Sequence, residues 1–130
     1  MILLDTHVVL WLAFEPERVS RKAHHRINEA RSANEGLAVS GITLLELALM
    51  ASKGRFRVAM RIEEFLDDVE ARFTVLPITS RAALRTLQLP ADYPRDPADR
   101  IIGATALAEE LELITGDHKI IDSEAVPVIW

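Results

Sequence analysis

The stretch that decides the fold lies at the start of the sequence and reads Ile2-Leu3-Leu4-Asp5-Thr6-His7. A short, continuous apolar run of this kind is typical of a strand that is covered on both faces of a sheet. Because an acid directly follows the run, we expect Asp5 to lie at the carboxyl end of a central strand. Ligands of parallel α/β sheets bind beyond the carboxyl ends of the strands. The stretch therefore predicts a parallel sheet with a functional site at the carboxyl ends of its strands.

The rest of the sequence alternates between apolar runs and helical patterns, with short connections and no internal repeat. The apolar runs predict strands at 2–4, 37–40, 73–78, 111–115 and 127–130, with Gly116-Asp117 as a turn before the last of them. Helical spacing predicts helices at 8–14, 20–34, 42–52, 80–87 and 97–110, and a further one that carries Val58, Ile62, Phe65, Leu66 and Val69. This alternation predicts an α/β fold, a three-layer α/β/α sandwich with a mostly parallel central sheet. One domain over residues 1–130 accommodates the whole pattern.

Local signals fix the ends of several helices. Ser20 and Asp96 are predicted N-caps, and Pro97 occupies the first helical position, which proline favours. The helix at 42–52 is apolar almost all round, so we expect it to be buried rather than amphipathic. It ends at Lys53-Gly54-Arg55.

Composition excludes several classes of protein. The sequence contains no cysteine, which excludes disulfides, thiol catalysis and thiolate metal sites. The apolar start is interrupted by Asp5 and His7 and has no basic flank, so we predict a cytoplasmic protein without a membrane span or signal peptide. The net charge of −5 argues against a protein that holds nucleic acid by bulk neutralisation of phosphates. It remains compatible with a nuclease that binds cations.

Four acids are predicted to meet at one edge of the sheet: Asp5, Glu46, Asp99 and Asp117. Asp5 and Asp117 follow predicted strands, and Asp99 lies in the first turn of a helix. Glu46 has Ile42 and Leu49 as helical neighbours and no basic residue within a turn, so its carboxylate needs a cation or a hydrogen-bond donor. A site made only of carboxylates suits Mg²⁺ or Mn²⁺.

Each acid taken singly also has a structural explanation. Asp5 would be a strand-end or capping acid, Asp117 a turn residue after glycine, and Asp99 an acid favoured at a helix N-terminus. Glu46 would form a buried ion pair. Because four acids at one edge are harder to explain in this way, we favour one or two metal sites with Asp5 as the central ligand.

Neighbouring polar residues are given supporting roles. Asp96 is interpreted as a cap rather than a ligand, and Asp122 as a surface acid or one that supports the ligands. Arg100 and Lys119 are expected to form ion pairs rather than to contact phosphate. The hydroxyls expected to hold the carboxylates belong to Thr6, Ser40 and Thr115. None of the histidines has metal-ligand spacing, and we expect no ligand among His7, His24, His25 and His118.

Four segments that contain these acids resemble the signature segments of PIN-domain nucleases, in the same order and spacing over nearly the whole chain. They read Leu4-Asp5-Thr6-His7, Ser40-Gly41-Ile42-Thr43-Leu44-Leu45-Glu46, Arg95-Asp96-Pro97-Ala98-Asp99-Arg100-Ile101-Ile102 and Ile114-Thr115-Gly116-Asp117. Together with Lys53-Gly54-Arg55 after the glutamate helix, they are most similar to bacterial VapC-type toxins. Many of these relatives have histidine in place of Pro94 and a large aromatic residue in place of Ala98.

The resemblance implies a Mg²⁺- or Mn²⁺-dependent endoribonuclease that cleaves RNA as the toxin of a toxin–antitoxin pair. It also implies divalent metal at Asp5, Glu46, Asp99 and Asp117, a homodimer, and inhibition by a cognate VapB-type antitoxin. The departures at Pro94 and Ala98 leave the metal ligands intact and bear on the substrate and on the shape of the loop.

Two other readings compete with a nuclease. Receiver and haloacid-dehalogenase folds also place aspartates and Mg²⁺ at strand ends, but the second aspartate of the dehalogenase motif would fall at His7, and the second strand ends at Ser40 rather than at an acceptor aspartate. The other reading is a catalytically silent PIN-like module that only binds protein. The presence of all four acids favours the enzyme.

Overall fold

The computed structural model describes residues 1–130 and contains one five-stranded parallel sheet. Its strands are β1 Ile2–Leu4, β2 Leu37–Ser40, β3 Thr74–Leu76, β4 Leu113–Ile114 and β5 Val128–Ile129. They lie in the order β3-β2-β1-β4-β5, so the chain starts in the centre, builds one side and then crosses to the other. The strand order reverses between β1 and β4, which is where ligands bind in sheets of this kind. The predicted α/β/α fold is confirmed.

The helices are α1 Thr6–Phe14, α2 Arg21–Ser32, α3 Gly41–Ser52, α4 Ile62–Arg72, α5 Ser80–Thr86, α6 Pro97–Ala108 and α7 His118–Ser123, with a 3₁₀ turn at Pro16–Arg18. Both predicted N-caps are confirmed. The Ser20 hydroxyl accepts a hydrogen bond from the Ala23 amide (3.1 Å), and Asp96 Oδ1 accepts one from the Ala98 amide (2.8 Å). These bonds satisfy amides that the first turn of a helix leaves without partners.

The sheet is covered on both faces because its strand residues alternate in direction. Ile2 and Leu4 point into a core formed with helices α1 to α4, whereas Leu3 points into a second core with α6 and α7. Representative members of the first core are Val8, Ile27, Leu47 and Phe65, and of the second Ile102, Ala106 and Ile120. The continuous apolar run at 2–4 is thus explained by two buried faces.

Three expectations about elements were wrong. Helix α7 was not predicted, and it begins directly after Asp117. Helix α3 is not buried all round, because Leu45 and Leu49 are 53% and 47% exposed. Helix α4 begins only at Ile62, so Val58 lies outside it, although Val58 packs against the core from the preceding segment. The remaining differences are shifts of a few residues at element ends. None of the helices is long and apolar enough to cross a membrane.

Candidate metal centre at the strand crossover

Asp5 lies where β1 ends, beside the end of β4. Its amide donates to the Ile114 carbonyl (3.0 Å), which continues the pairing of the two strands by one residue. The hydroxyl of Thr115, which directly follows β4, donates to Asp5 Oδ2 (2.7 Å). The side chain is 5% exposed, and burial raises the pKa of Asp5 above its usual value. One oxygen of a buried carboxylate is therefore fixed, while Oδ1 accepts no side-chain hydrogen bond.

Glu46 faces the same edge from the middle of α3. The Thr6 hydroxyl donates to Glu46 Oε1 (2.6 Å) and stands 3.0 Å from the hydroxyl of Thr43. Burial raises the pKa of Glu46, and the charges of Asp5 and Asp96 raise it further. The predicted need for a hydrogen-bond donor is met by Thr6, and the alternative of a buried ion pair is wrong.

Asp99 lies in the first turn of α6, directly after Ala98, whose amide donates to Asp96. Burial raises the pKa of Asp99 to about 7, with further increases from the charges of Asp5, Asp96, Asp117 and Glu46. All four predicted acids therefore act on one another electrostatically. Asp96 acts on them too, although its Oδ1 is engaged as the cap of α6.

Asp117 caps helix α7. Its Oδ1 accepts hydrogen bonds from the Lys119 amide (2.8 Å) and the Ile120 amide (3.3 Å), and its own amide donates to the Thr115 hydroxyl (3.2 Å). Asp117 Oδ2 has no hydrogen-bond partner in the protein. Thr115 consequently bonds both to Asp5 and to the backbone of Asp117, which ties the ends of β1 and β4 together.

The acids are arranged as an open cluster and not as a closed cage. No three acidic or histidine side chains stand close enough, as placed, to hold one metal ion. None of Asp5, Glu46, Asp96, Asp99 and Asp117 takes part in an ion pair. Neighbouring carboxylates without a cation repel one another, which is the electrostatic setting that binds divalent cations.

Several supporting roles differ from those expected. Arg100 forms no ion pair: it donates to the carbonyls of Thr86 (2.8 Å) and Pro94 (3.3 Å), and so holds the loop before α6 against α5. Lys119 forms no ion pair either. Ser40 does not hold a carboxylate, since its hydroxyl caps α3 through the Ile42 amide (3.3 Å). Asp122 is exposed on α7, as expected of a surface acid.

Two further residues lie at the site, although the sequence analysis gave neither of them a role there. His7 is exposed and directly follows Thr6, whose hydroxyl bonds to Glu46, and a positive charge on its ring lowers the pKa of both Asp5 and Glu46. Tyr93 is buried and donates its hydroxyl to the Asp99 carbonyl (2.9 Å). The position of His7, two residues after Asp5, was the available signal for the first. Nothing local marked Tyr93, because its partner lies on another element.

An apolar cleft lies elsewhere, between α1, α4 and the segment before α4. It has a volume of about 430 Å³ and is lined mainly by apolar residues, among them Val9, Leu12, Phe14, Met60 and Phe65. None of the four acids lines it. Any apolar partner that this cleft accepts is therefore bound at a distance from the carboxylates.

Comparisons with known proteins agree with this architecture. A family model described as PIN domain matches residues 2–124. The chain is 35% identical over 119 residues to Ribonuclease VapC22 of Mycobacterium tuberculosis, covering 92% of this chain and 88% of that protein. A toxin-antitoxin complex from Klebsiella pneumoniae is 27% identical, with a TM-score of 0.64 and coverage of 97% of this chain and 95% of that chain.

A more distant structure shares the fold alone. VapBC2 from Rickettsia felis, bound to a DNA fragment from its promoter, superposes with a TM-score of 0.74 at 18% identity, covering 98% of this chain and 97% of that chain. The family match spans β1 to α7 and includes every acid of the cluster. The resemblance inferred from the four segments is thus confirmed, and the chain belongs to the PIN domain family.

Proposed function

We propose that this chain is a metal-dependent endoribonuclease and the toxin of a toxin–antitoxin pair, with Asp5, Glu46, Asp99 and Asp117 as its catalytic metal ligands. The observation that carries the proposal is the clustering of these four carboxylates, unpaired with any cation, at the strand crossover. The similarity to Ribonuclease VapC22 supports RNA as the substrate. The rival is a PIN-like module without catalysis, which would need no such cluster.

The donor set fits a hard divalent cation. All its atoms are carboxylate oxygens, which Mg²⁺ and Mn²⁺ prefer, and the sequence contains no cysteine that would compete as a soft ligand. Burial raises the pKa of Asp5, Glu46 and Asp99, so without a cation these groups hold protons more readily than free carboxyls do. Because no three of the side chains are close enough as placed, binding would require them to turn towards one ion.

The protein's own part in the reaction is to fix the ligands. Thr115 holds Asp5 Oδ2 and Thr6 holds Glu46 Oε1, which leaves Asp5 Oδ1 and Glu46 Oε2 free of side-chain bonds. Asp117 caps α7 with Oδ1 and leaves Oδ2 without a hydrogen-bond partner in the protein, and α6 supplies Asp99. Bound Mg²⁺ would supply an activated water and a positive charge for the phosphate that is attacked. Hydrogen bonds that orient metal ligands typically matter for activity nearly as much as the ligands do.

We propose a VapB-type antitoxin as the partner. Several related structures are toxin–antitoxin complexes, including the one from Klebsiella pneumoniae. The apolar cleft beside α1 and α4 has the chemistry to receive an amphipathic segment of such a partner. Two pairs of exposed leucines, Leu45 with Leu49 on α3 and Leu84 with Leu87 at α5, support a homodimer that would cover apolar surface.

The test is cleavage of structured RNA, such as tRNA or ribosomal fragments, by the purified chain with Mg²⁺, with Mn²⁺ and with excess chelator. We expect cleavage with either metal and none with chelator. Cleavage that persists undiminished in chelator would overturn the metal mechanism.

Matched variants separate the enzyme from the silent module. Asp5→Asn keeps the shape of the side chain and should reduce cleavage at least about a hundredfold, because it removes the charge of the central ligand. Asp122→Asn makes the same change on the surface and should cleave as the parent does. Expressed in a bacterial host, the parent should arrest growth and Asp5→Asn should not. Equal arrest by both proteins would favour the binding module.

A further inference from the structure

An aromatic row runs alongside the acid cluster. The rings of His7 and Trp11 have centroids 6.0 Å apart, and those of Trp11 and Trp130 are 5.7 Å apart. The guanidinium carbon of Arg18 lies 4.5 Å from the centroid of the Trp11 ring. The three rings and this cation, which we call the aromatic row, come from α1, the 3₁₀ turn and the residue after β5.

Both ends of the aromatic row reach the acid cluster. His7 lies two residues after Asp5 and directly after Thr6, whose hydroxyl donates to Glu46 Oε1 (2.6 Å). At the other end Trp130 lies against Gly116, where an added Cβ would stand 2.7 Å from Trp130 Cζ2. Gly116 immediately precedes Asp117. The row therefore flanks the cluster from the Asp5 side to the Asp117 side.

A nuclease with this charge needs a source of RNA affinity other than bulk attraction. The chain carries a net charge of −5, and five of its carboxylates act together at the candidate site, where they repel phosphate. Proteins that bind single-stranded nucleic acid stack bases on aromatic side chains and add contacts from arginine, because every base offers a flat face. Stacking of this kind contributes about tenfold in affinity per base.

Part of the aromatic row is explained by packing alone. Trp11 and Trp130 are half-buried and contact the first core, so their inner edges stabilise the fold. Packing does not explain the outer members. His7 is exposed, and the Arg18 side chain is 55% exposed, with Glu15 as its ion-pair partner at 3.2 Å. The His7 ring and the Arg18 guanidinium are exposed and extend the half-buried pair of Trp11 and Trp130. A ligand can therefore reach this surface.

We propose that His7, Trp11 and Trp130 form a stacking surface for unpaired bases of RNA next to the phosphate that is cleaved, with Arg18 contacting the backbone. This inference rests on the proposed function and adds how the substrate is held. It identifies the preferred substrate as RNA with unpaired bases at the cleavage site, since paired bases do not expose their faces.

The binding test uses a fluorescently labelled single-stranded RNA and the Asp5→Asn protein with Mg²⁺, in which the RNA stays intact if the proposed function holds. Adding Trp11→Ala should weaken RNA binding, measured by fluorescence anisotropy, about tenfold. Phe56→Ala truncates a half-buried aromatic residue that also packs against the first core but lies outside the row, and it should leave affinity unchanged. His7→Ala should weaken binding and His25→Ala, an exposed histidine on α2, should not. The histidine pair keeps the test valid if Trp11→Ala does not fold.

A second probe isolates the bases. The same oligonucleotide with abasic nucleotides keeps every phosphate but offers nothing to stack. The Asp5→Asn protein should prefer the oligonucleotide with all its bases about tenfold, and adding Trp11→Ala should abolish that preference. Unchanged affinity in both Trp11→Ala and His7→Ala, or a preference that survives both changes, would overturn the stacking surface. If the unmodified chain cleaves no RNA with any metal while these binding results hold, the proposed function fails and the stacking surface stands.

Discussion

At the scale of single residues, Asp99 shows how strongly the acids act on one another. Burial and four neighbouring acids raise its pKa to about 7, against 3.8 for a free aspartate. A raised pKa means that the folded protein prefers the protonated form. The stability that this preference contributes is complete below about pH 4 and is lost as the pH rises through 7.

Replacing Asp99 with Asn should therefore stabilise the metal-free protein at high pH only. At pH 8 in chelator we expect the melting temperature of Asp99→Asn to exceed that of the parent by about 4 °C or more, roughly the effect of 1 kcal/mol in a chain of this size. At pH 4 the two should melt together. With Mg²⁺ the melting temperature of the parent should rise, and that of the variant should rise much less. A difference in melting temperature that is the same at every pH would show that Asp99 does not titrate as described.

Thr115 allows a test of the hydroxyls that hold the ligands. Thr115→Val removes the donor to Asp5 Oδ2 while keeping the shape of the side chain. We expect the Mg²⁺ concentration for half-maximal cleavage to rise about tenfold, a common cost of losing a bond that orients a ligand. Thr105→Val is the control, because Thr105 is equally buried but bonds only to the Ile101 carbonyl of its own helix (2.7 Å). Equal effects of the two changes would indicate a general loss of stability.

The sequence was sufficient to predict that the four acids lie near one another, because each one follows a strand or lies on a helix whose place beside the sheet is predictable. It could not identify Tyr93, whose hydroxyl bonds to a backbone carbonyl and whose ring lies on Gly103 of α6. A contact of this kind depends on how a loop is folded back, which no periodicity encodes. The role of Arg100 was missed for the same reason, since its partners are carbonyls of a loop and of α5.

At the scale of elements, the errors concern short or exposed helices. Helix α7 has six residues and was hidden behind Gly116-Asp117, which is interpreted equally well as a turn. Its cap is the signal that was available, because Asp117 accepts bonds from the two amides at 119 and 120. Helix α3 was expected to be buried because apolar residues surround it. Periodicity cannot distinguish a buried leucine from an exposed one such as Leu45.

The contact between Tyr93, in the loop before α6, and Gly103 of α6 predicts how a substitution at Gly103 changes the packing of these two elements. A Cβ at Gly103 would stand 2.7 Å from Tyr93 Cζ and collide with its hydroxyl, so Gly103→Ala forces the ring away from α6. We expect a loss of about 1–3 kcal/mol in the free energy of unfolding, measured by urea denaturation, as for overpacked cores. Cleavage should fall as well, since Tyr93 bonds to Asp99.

Gly41→Ala is the matched control, because a Cβ there lies 3.6 Å from the Leu76 carbonyl, an ordinary contact. It should change stability little. Adding Tyr93→Phe to Gly103→Ala should restore part of the loss, because it removes the nearest colliding atom. If Gly103→Ala is as stable as Gly41→Ala, the close approach of Tyr93 and α6 is wrong.

At the scale of the whole molecule, the exposed leucines bear on assembly. Leu84 on α5 and Leu87, the residue that follows this helix, are 61% and 81% exposed, which is unusual for neighbouring large apolar side chains. We expect the chain to be a dimer by light scattering and the pair Leu84→Glu and Leu87→Glu to convert it to a monomer. Lys22→Glu changes the net charge by the same two units on exposed α2 and should leave the mass unchanged. A dimer that survives the leucine changes would place the interface elsewhere.

The order of the strands has a consequence for synthesis. β1 emerges from the ribosome first, yet its neighbour β4 pairs with it through Leu3 with Leu113 and Leu4 with Ile114, so one flank of β1 stays open until nearly the entire chain has been translated. Asp5 and Glu46 are then already present, but Asp99 and Asp117 arrive with the last part of the polypeptide. A nascent chain that still lacks this part therefore carries two of the four acids of the cluster, and the cluster is incomplete. Under the proposed function, the chain would gain its activity only when its synthesis is nearly complete.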